Sequence, residues 1–428
     1  MDIFERLESE VRSYCRSWPA VFRTARGSRI FDEDGRGFLD FFSGAGTLNY
    51  GHNHPHLKAE LLAYLAGDHV VHSLDMHTTA KRRFLEKFQD VVLGPRGLDY
   101  KVQLPGPGGT NAVEAALKLA RKYTGRQTVV NFTNAFHGMT LGSLAVTGNA
   151  AKRNGAGVPL NHTATMPYAG YLDGRTPDFL LFERLLDDQG SGLDRPAAVI
   201  VETLQGEGGL NGADPGWQRA LARLCARHGI LLIVDDIQMG CGRTGPFFSF
   251  EDAGITPDIV CLSKSLSGYG LPMALTLLRP HLDVWEPGEH NGTFRGLDPA
   301  FVTAAAALDL WTGDGLREQT LAKGARVRRA LEEIAAARPD AVAGVRGRGL
   351  AWGLVFTEPG LAPRVCGAAF ERGLLMETSG PDDEVVKLLP PLTATADELA
   401  EGLGVLAESV AAVCDRRPVP AAAGRGRS

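Results

Sequence analysis

The chain has 428 residues, 44% of them hydrophobic, and a formal net charge of −5, enough for two or more domains or one large α/β unit with an appendage. A pI near 6.1 and dispersed basic residues exclude a general attraction to nucleic acid or anionic lipid. No apolar run approaches the roughly 20 residues that span a bilayer, and the acidic, amphipathic start from Met1 to Arg6 is unlike a signal peptide, so a cytoplasmic protein with no membrane partner is expected.

The first notable element is Gly51-His52-Asn53-His54-Pro55-His56. Alternate residues of a Pro-containing loop do not converge on one ion, and no carboxylate or cysteine is tied to them by sequence, so no metal site is expected. The cysteines (Cys15, Cys225, Cys241, Cys261, Cys366, Cys414) lie far apart with no C-x-x-C spacing, which predicts reduced thiols, most of them buried. Next, Gly106-Pro107-Gly108-Gly109-Thr110-Asn111-Ala112-Val113-Glu114 is a glycine-rich turn feeding a helix over Ala115 to Tyr123, with Asn111 and Glu114 spaced as a capping pair. N–H groups at such a start, with the helix dipole, bind a phosphate monoester. The spacing fits neither G-x-x-x-x-G-K-[ST] nor G-x-G-x-x-G.

A strand over Thr128 to Phe132 leads to Phe136-His137-Gly138, an aromatic face able to stack on a heteroaromatic ring, with a glycine that allows close approach. Taken alone, the tripeptide reads more readily as an ordinary core aromatic. Ala197 to Val201, Ile230 to Val234 and Asp258 to Leu262 are unbroken apolar runs, the first two separated by a helix from about Trp217 to Arg227. Such runs are strands covered on both faces, and intervening helices imply the mostly parallel sheet of a doubly wound α/β domain. Glu202, Asp235 and Lys264 each fall at or just past the carboxyl end of a run, where open parallel sheets place their ligands. Glu202 and Glu207, on a glycine loop, read either as an acid/base or metal pair or as solvated side chains. Arg295 reads as an anion binder or as half of an ion pair.

After about Leu316 the texture changes to a helix over Thr320 to Ala337, then Gly349 to Phe356, Leu374 to Met376, Val385 to Pro391, and a last helix opened by the capping box Thr395-Ala396-Asp397-Glu398. This predicts a smaller α+β domain with a frayed tail from Asp415.

Lys264 and Asp235 pair a candidate nucleophilic amine with a carboxylate. A Schiff-base lysine needs desolvation and neighbouring cations to lower its pKa, and a pyridine nitrogen needs an anion to stay protonated. The pairing points to pyridoxal phosphate (PLP) chemistry.

Lys264, Asp235-x-x-Gln238, Phe136-His137-Gly138, Gly109-Thr110, Glu202 with Gln205-Gly206-Glu207, and Thr293 agree in order and spacing with the fold-type I, class-III aminotransferases, which the chain resembles from about Phe31 to Leu406. Longer strings, among them Gly44 to Asn53, Gly97 to Gln103, Val234 to Gln238, Ser263 to Pro272 and Trp285 to Gly296, resemble the diaminobutyrate–2-oxoglutarate transaminases of ectoine biosynthesis.

The resemblance implies a large PLP-binding domain over 51–315, an N-terminal segment over 1–50 joining a small domain over 316–428, and a homodimer or higher homo-oligomer. It implies Lys264 as Schiff-base lysine and proton shuttle, and Asp235 at the pyridinium nitrogen. Gln238 would contact the ring hydroxyl oxygen and Phe136 would stack on the ring with His137 beside it. Glu202 would lie near the cofactor, Gly109 and Thr110 would hold the phosphate, and Thr293 would reach the partner subunit's phosphate. Glu207 resembles a glutamate that covers a substrate-binding arginine, but here that arginine's position holds Lys387, which lacks a planar two-point grip. Gly108 replaces the usual Ser or Thr, which shifts phosphate binding toward backbone N–H groups. The implied reaction carries the amino group of L-glutamate to L-aspartate 4-semialdehyde, giving L-2,4-diaminobutyrate and 2-oxoglutarate. The competing readings are an ω-aminotransferase of ornithine, acetylornithine or 4-aminobutyrate type, a PLP-dependent aminomutase, and a silent PLP-binding regulator.

Overall fold

The structure is a computed structural model that describes residues 3–172, 174–175 and 179–415. Seven strands build its central sheet: β1 (Lys101–Gln103), β2 (Val129–Phe132), β3 (Thr163–Met166), β4 (Ala198–Val201), β5 (Leu231–Asp235), β6 (Ile259–Leu262) and β7 (Leu275–Leu278). They lie in the order β1-β7-β6-β5-β4-β2-β3. From β6 through β3 every pair is parallel, and only β7 runs against its neighbours. The fold is α/β with a mostly parallel sheet.

The unbroken apolar runs are explained by two cores. Successive side chains of a strand point to opposite faces, so Leu231 and Ile233 join Ala112, Ala116 and Ala120 of the helix Gly109–Thr124. Leu232 and Val234 face the other way, onto Trp217, Leu221 and Leu224 of the helix Pro215–His228. That helix starts where Asp214 accepts from the Trp217 N–H and stops at Gly229, whose φ of 58° suits a residue without Cβ.

The C-terminal part forms a four-stranded antiparallel sheet, Val342–Arg348, Ala351–Phe356, Val385–Leu388 and Glu377–Ser379, in that order. Its core joins the sheet to the helices Gly315–Ala337, Leu361–Glu371 and Ala396–Cys414. Thr395 and Glu398 make the expected capping box. The pair Leu374–Leu375 does not join this sheet; it runs parallel to Gly37–Asp40 in a second sheet made otherwise of N-terminal strands. The tail expected after Asp415 lies outside the described residues.

One local expectation is corrected. The helix after the glycine-rich turn begins at Gly109, six residues before Ala115, and Asn111 and Glu114 do not cap it together. Asn111 Oδ1 accepts from the Gly108 N–H at 3.0 Å, whereas Glu114 Oε1 accepts from the N–H groups of Gly142 and Ser143 at 2.9 and 3.1 Å. A glycine N-cap extends the helix into the turn and leaves Glu114 free to organise the next loop.

Candidate active site

The carboxyl ends of β2, β4, β5 and β6 open on a cavity of about 180 Å³ lined by Gly109, Thr110, Phe136, His137, Gly138, Glu202, Glu207, Asp235, Ile237, Gln238, Met239 and Lys264. The sheet thus brings together residues spread over more than a third of the chain. Asp235, the last residue of β5, is held on both oxygens: Oδ2 lies 2.8 Å from His137 Nδ1 and Oδ1 accepts from the Ile237 N–H at 3.2 Å. Glu202 Oε2 accepts from the Phe136 N–H at 3.0 Å, which ties the loop after β2 to the end of β4.

Lys264 follows β6 with a φ of 50°. A left-handed backbone is costly for a residue with a Cβ and persists where surrounding contacts enforce it. Its Nζ donates to the Ala45 carbonyl at 2.9 Å, and the neighbouring Ser265 Oγ donates to Gly46 at 2.7 Å. Those carbonyls belong to a run, Ser43 to Gly46, in which every φ is positive. Asp40 Oδ1 anchors the run's start by accepting from the Phe42 and Ser43 N–H groups, each at 2.8 Å.

The charges of this cavity are strongly perturbed. Burial pulls the Lys264 amine down toward its neutral form, opposed by Glu207 and assisted by Lys387. Burial also works against a charge on His137, but the hydrogen bond and charge of Asp235 outweigh it and raise its pKa. Glu202 is pushed up to about 7, mainly by burial, with His137 opposing the rise. Asp236, which faces away from the cavity and accepts from the Ser249 N–H at 3.0 Å, is pushed up to about 7 by burial.

A second cluster stands next to the first. Lys387 Nζ lies 2.7 Å from Glu207 Oε1 and 3.0 Å from Glu377 Oε1, and its side chain has no exposed surface. Burial disfavours its charge, yet the two carboxylates outweigh burial and push its pKa up. Glu207, only partly exposed, is lowered to about 2 by Lys387 and Lys264 against the effect of burial, and it also accepts from Gln238 Nε2 at 3.1 Å. Glu377 goes the other way, raised by burial that Lys387 only partly offsets. Beside this cluster is a cavity of about 620 Å³ that shares Phe136 and Glu207 with the first and adds Tyr14, Lys152 and Glu377.

Of the residues assigned a catalytic, cofactor or substrate role from sequence, all but Thr293 and Lys387 line the smaller cavity. Lys387 lies outside it, reaching it through Glu207. Thr293 is exposed on the turn Thr293–Arg295, where its carbonyl lies 2.7 Å from His72 Nε2. Arg295 is half of an ion pair with Asp75. The histidines of residues 51–56 diverge, His52 to Asp40 at 2.7 Å and His56 to Asp309 at 2.9 Å. Among the described residues no group of three or more His, Cys, Asp or Glu is placed to hold a metal ion, and no helix is long and apolar enough to cross a membrane. Sequence reasoning missed Ala45, because a carbonyl carries no residue signature, and Glu377, an isolated glutamate on a three-residue strand.

The profile of the family Aminotransferase class-III matches residues 13–410. The chain belongs to the class-III aminotransferases. It is 66% identical over 411 residues to the diaminobutyrate–2-oxoglutarate transaminase of Streptomyces anulatus, covering 96% of this chain and 97% of that one. To the protein of the same name from Halalkalibacterium halodurans it is 55% identical over 417 residues, covering 97% and 98%. Among solved structures, the ornithine aminotransferase of Toxoplasma gondii superposes with a TM-score of 0.84 at 26% identity, covering 97% and 94%. A PLP-bound amine transaminase from an uncultivated Pseudomonas species gives 0.83 at 27% identity, covering 95% and 98%. This aminotransferase therefore shares its fold with PLP enzymes while its sequence lies far closer to one named activity.

Proposed function

We propose that this aminotransferase uses pyridoxal phosphate to exchange the amino group of L-glutamate for the aldehyde oxygen of L-aspartate 4-semialdehyde, giving 2-oxoglutarate and L-2,4-diaminobutyrate. The observation that carries the substrate assignment is the identity of 52 to 66% over nearly the whole chain to transaminases of that name. The geometry carries the chemistry.

The residues present fit the cofactor. The amides at the start of the helix Gly109–Thr124 and the Thr110 hydroxyl, which lies 2.6 Å from both Thr140 and Ser143 hydroxyls, make a cup suited to a phosphate. Gly138 is required there, since a Cβ would stand 2.6 Å from both Ser143 Oγ and Thr110 Oγ1. The bound cofactor supplies a protonated ring that withdraws electrons from the carbon losing its proton. Asp235, with His137 steadying Oδ2, would keep the ring nitrogen protonated. Phe136 would lie against the ring, Gln238 would meet its hydroxyl oxygen, and Glu202 would lie close by, holding the Phe136 N–H. Lys264, its amine pKa lowered by burial, would anchor the cofactor and then carry the proton between the substrate carbon and the cofactor. Glu207 would cover Lys387 in the aldehyde half-reaction and release it to a carboxylate of glutamate.

The proposal includes a homodimer, in which the exposed Thr293 reaches the neighbouring subunit's phosphate, a cytoplasmic location, and use of the product in ectoine-type biosynthesis. It also includes the division at residues 50 and 315, with the cofactor on the large sheet and Lys387 and Glu377 supplied by the smaller one. Purified protein loaded with PLP should form diaminobutyrate from glutamate and the semialdehyde. Failure to do so, with turnover of acetylornithine or 4-aminobutyrate instead, would overturn the assignment.

A further inference from the structure

The buried lysine of the second cluster does not face the substrate space; the carboxylates do. Glu207 and Glu377 both line the 620 Å³ cavity, whereas Lys387 lines neither it nor the smaller one. Glu377 stands directly across the antiparallel pair from Lys387, so the strand register fixes its position. A carboxylate accepts about four hydrogen bonds. Glu377 is 8% exposed, with Oε1 3.0 Å from Lys387 Nζ and the Tyr14 phenol beside it. Lys264 lines the smaller cavity and Glu377 the larger, and the two cavities adjoin through the shared Phe136 and Glu207, which connects the reacting amine to Glu377.

The charge count points the same way. Glu207 and Glu377 share one buried lysine, so when Glu377 ionises against the burial that resists it, the cluster holds one more carboxylate than Lys387 can balance. A cation arriving from the cavity offsets both the excess and the burial. Lys152, on the same cavity wall with its ammonium 4.5 Å from the Phe136 ring centre, supplies positive charge for an accompanying carboxylate without breaking the buried cluster.

Resting on the reaction proposed above, we propose that Glu377 accepts hydrogen bonds from the α-ammonium group of the amino acid whose far end reacts, 2,4-diaminobutyrate or aspartate 4-semialdehyde. Glu377 is then the residue that separates these substrates from ω-amino acids with no α-nitrogen. The natural probe is 4-aminobutyrate, which is 2,4-diaminobutyrate without that one group. A carboxylate left facing no cation rejects the donor that lacks the α-ammonium.

The test uses the PLP-loaded enzyme with 2-oxoglutarate as acceptor and reads the ratio of kcat/KM for 2,4-diaminobutyrate over that for 4-aminobutyrate. Glu377→Gln should lower the ratio at least about tenfold, mostly through KM for diaminobutyrate, while Glu377→Asp should keep the preference. Should Glu377→Gln fail to fold, the triple variant E207Q/E377Q/K387M removes every charge of the buried cluster. Both donors carry the same carboxylate, so its ratio still reports the α-ammonium alone. A ratio within about threefold of the unmodified enzyme, with diaminobutyrate still consumed, overturns the role of Glu377 and leaves the proposed reaction standing. If the unmodified enzyme does not consume diaminobutyrate, the reaction itself falls and the role of Glu377 falls with it.

Discussion

The two ends of the site hold charge by different means. Around Lys264 and Asp235 each charged group is fixed by backbone or by a single side chain: Ala45 takes the lysine, and His137 and the Ile237 N–H take the aspartate. Around Lys387 one cation is shared by Glu207 and Glu377, which come from a loop after β4 and from the small sheet. The first arrangement presents fixed geometry to a resident group. The second is a set of exchangeable partners, because one carboxylate can leave while the other keeps the buried lysine neutralised. An isolated ion taken out of water costs several kcal/mol, so a lysine with two partners tolerates the loss of one where a simple pair would not.

The sharpest way to break the first end is Lys264→Ala, which should abolish turnover and the absorbance of the lysine-linked cofactor; retained turnover would remove Lys264 from the reaction. Asp235→Asn should keep the cofactor bound yet slow the proton-transfer step by about 10² to 10⁴, the range usual for a positioned acid or base, as read from the substrate deuterium isotope effect and single-turnover rate. A near-normal rate would mean that another group serves the ring nitrogen. At the second end, Lys387→Met strands two carboxylates and should cost ~3–5 kcal/mol of stability. Adding Glu207→Gln and Glu377→Gln should recover most of the lost thermal midpoint, and no recovery would show that the lysine acts by packing rather than by charge.

The smallest effect concerns Asp236. Its folded pKa of about 7 lies above the ordinary 3.8, so its stabilising contribution is complete below about pH 4 and is lost as pH rises through 7. Asp236→Asn should therefore gain on the unmodified protein between pH 5 and 8, by on the order of 2 kcal/mol or less. Parallel melting curves across that range would show Asp236 to be ionised.

The first end was legible in the sequence because strand ends announce themselves. Val234-Asp235 and Leu262-Ser263-Lys264 put polar residues where an apolar run stops, and a parallel sheet gathers such stops along one edge. The glycine-rich turn was legible as a helix start, but the helix began earlier than expected because glycine at the N-cap did not break it. The second end was half legible: Lys387 stood out as a departure from arginine, while its partner Glu377 is ten residues away along the chain and meets it only through strand register. The left-handed run from Ser43 was not legible, since Ser43 and Ala45 are not residue types that favour positive φ.

The hairpin that carries Glu377 and Lys387 has a consequence for how the gene can change. Ser379 faces Val385, so residues 380–384 set the offset that lands Glu377 opposite Lys387. Surface connections ordinarily accept insertions. In this one a single added or deleted residue would turn one side chain of the pair to the opposite face of the sheet, so the length of this turn matters to the buried cluster as much as the charges it aligns.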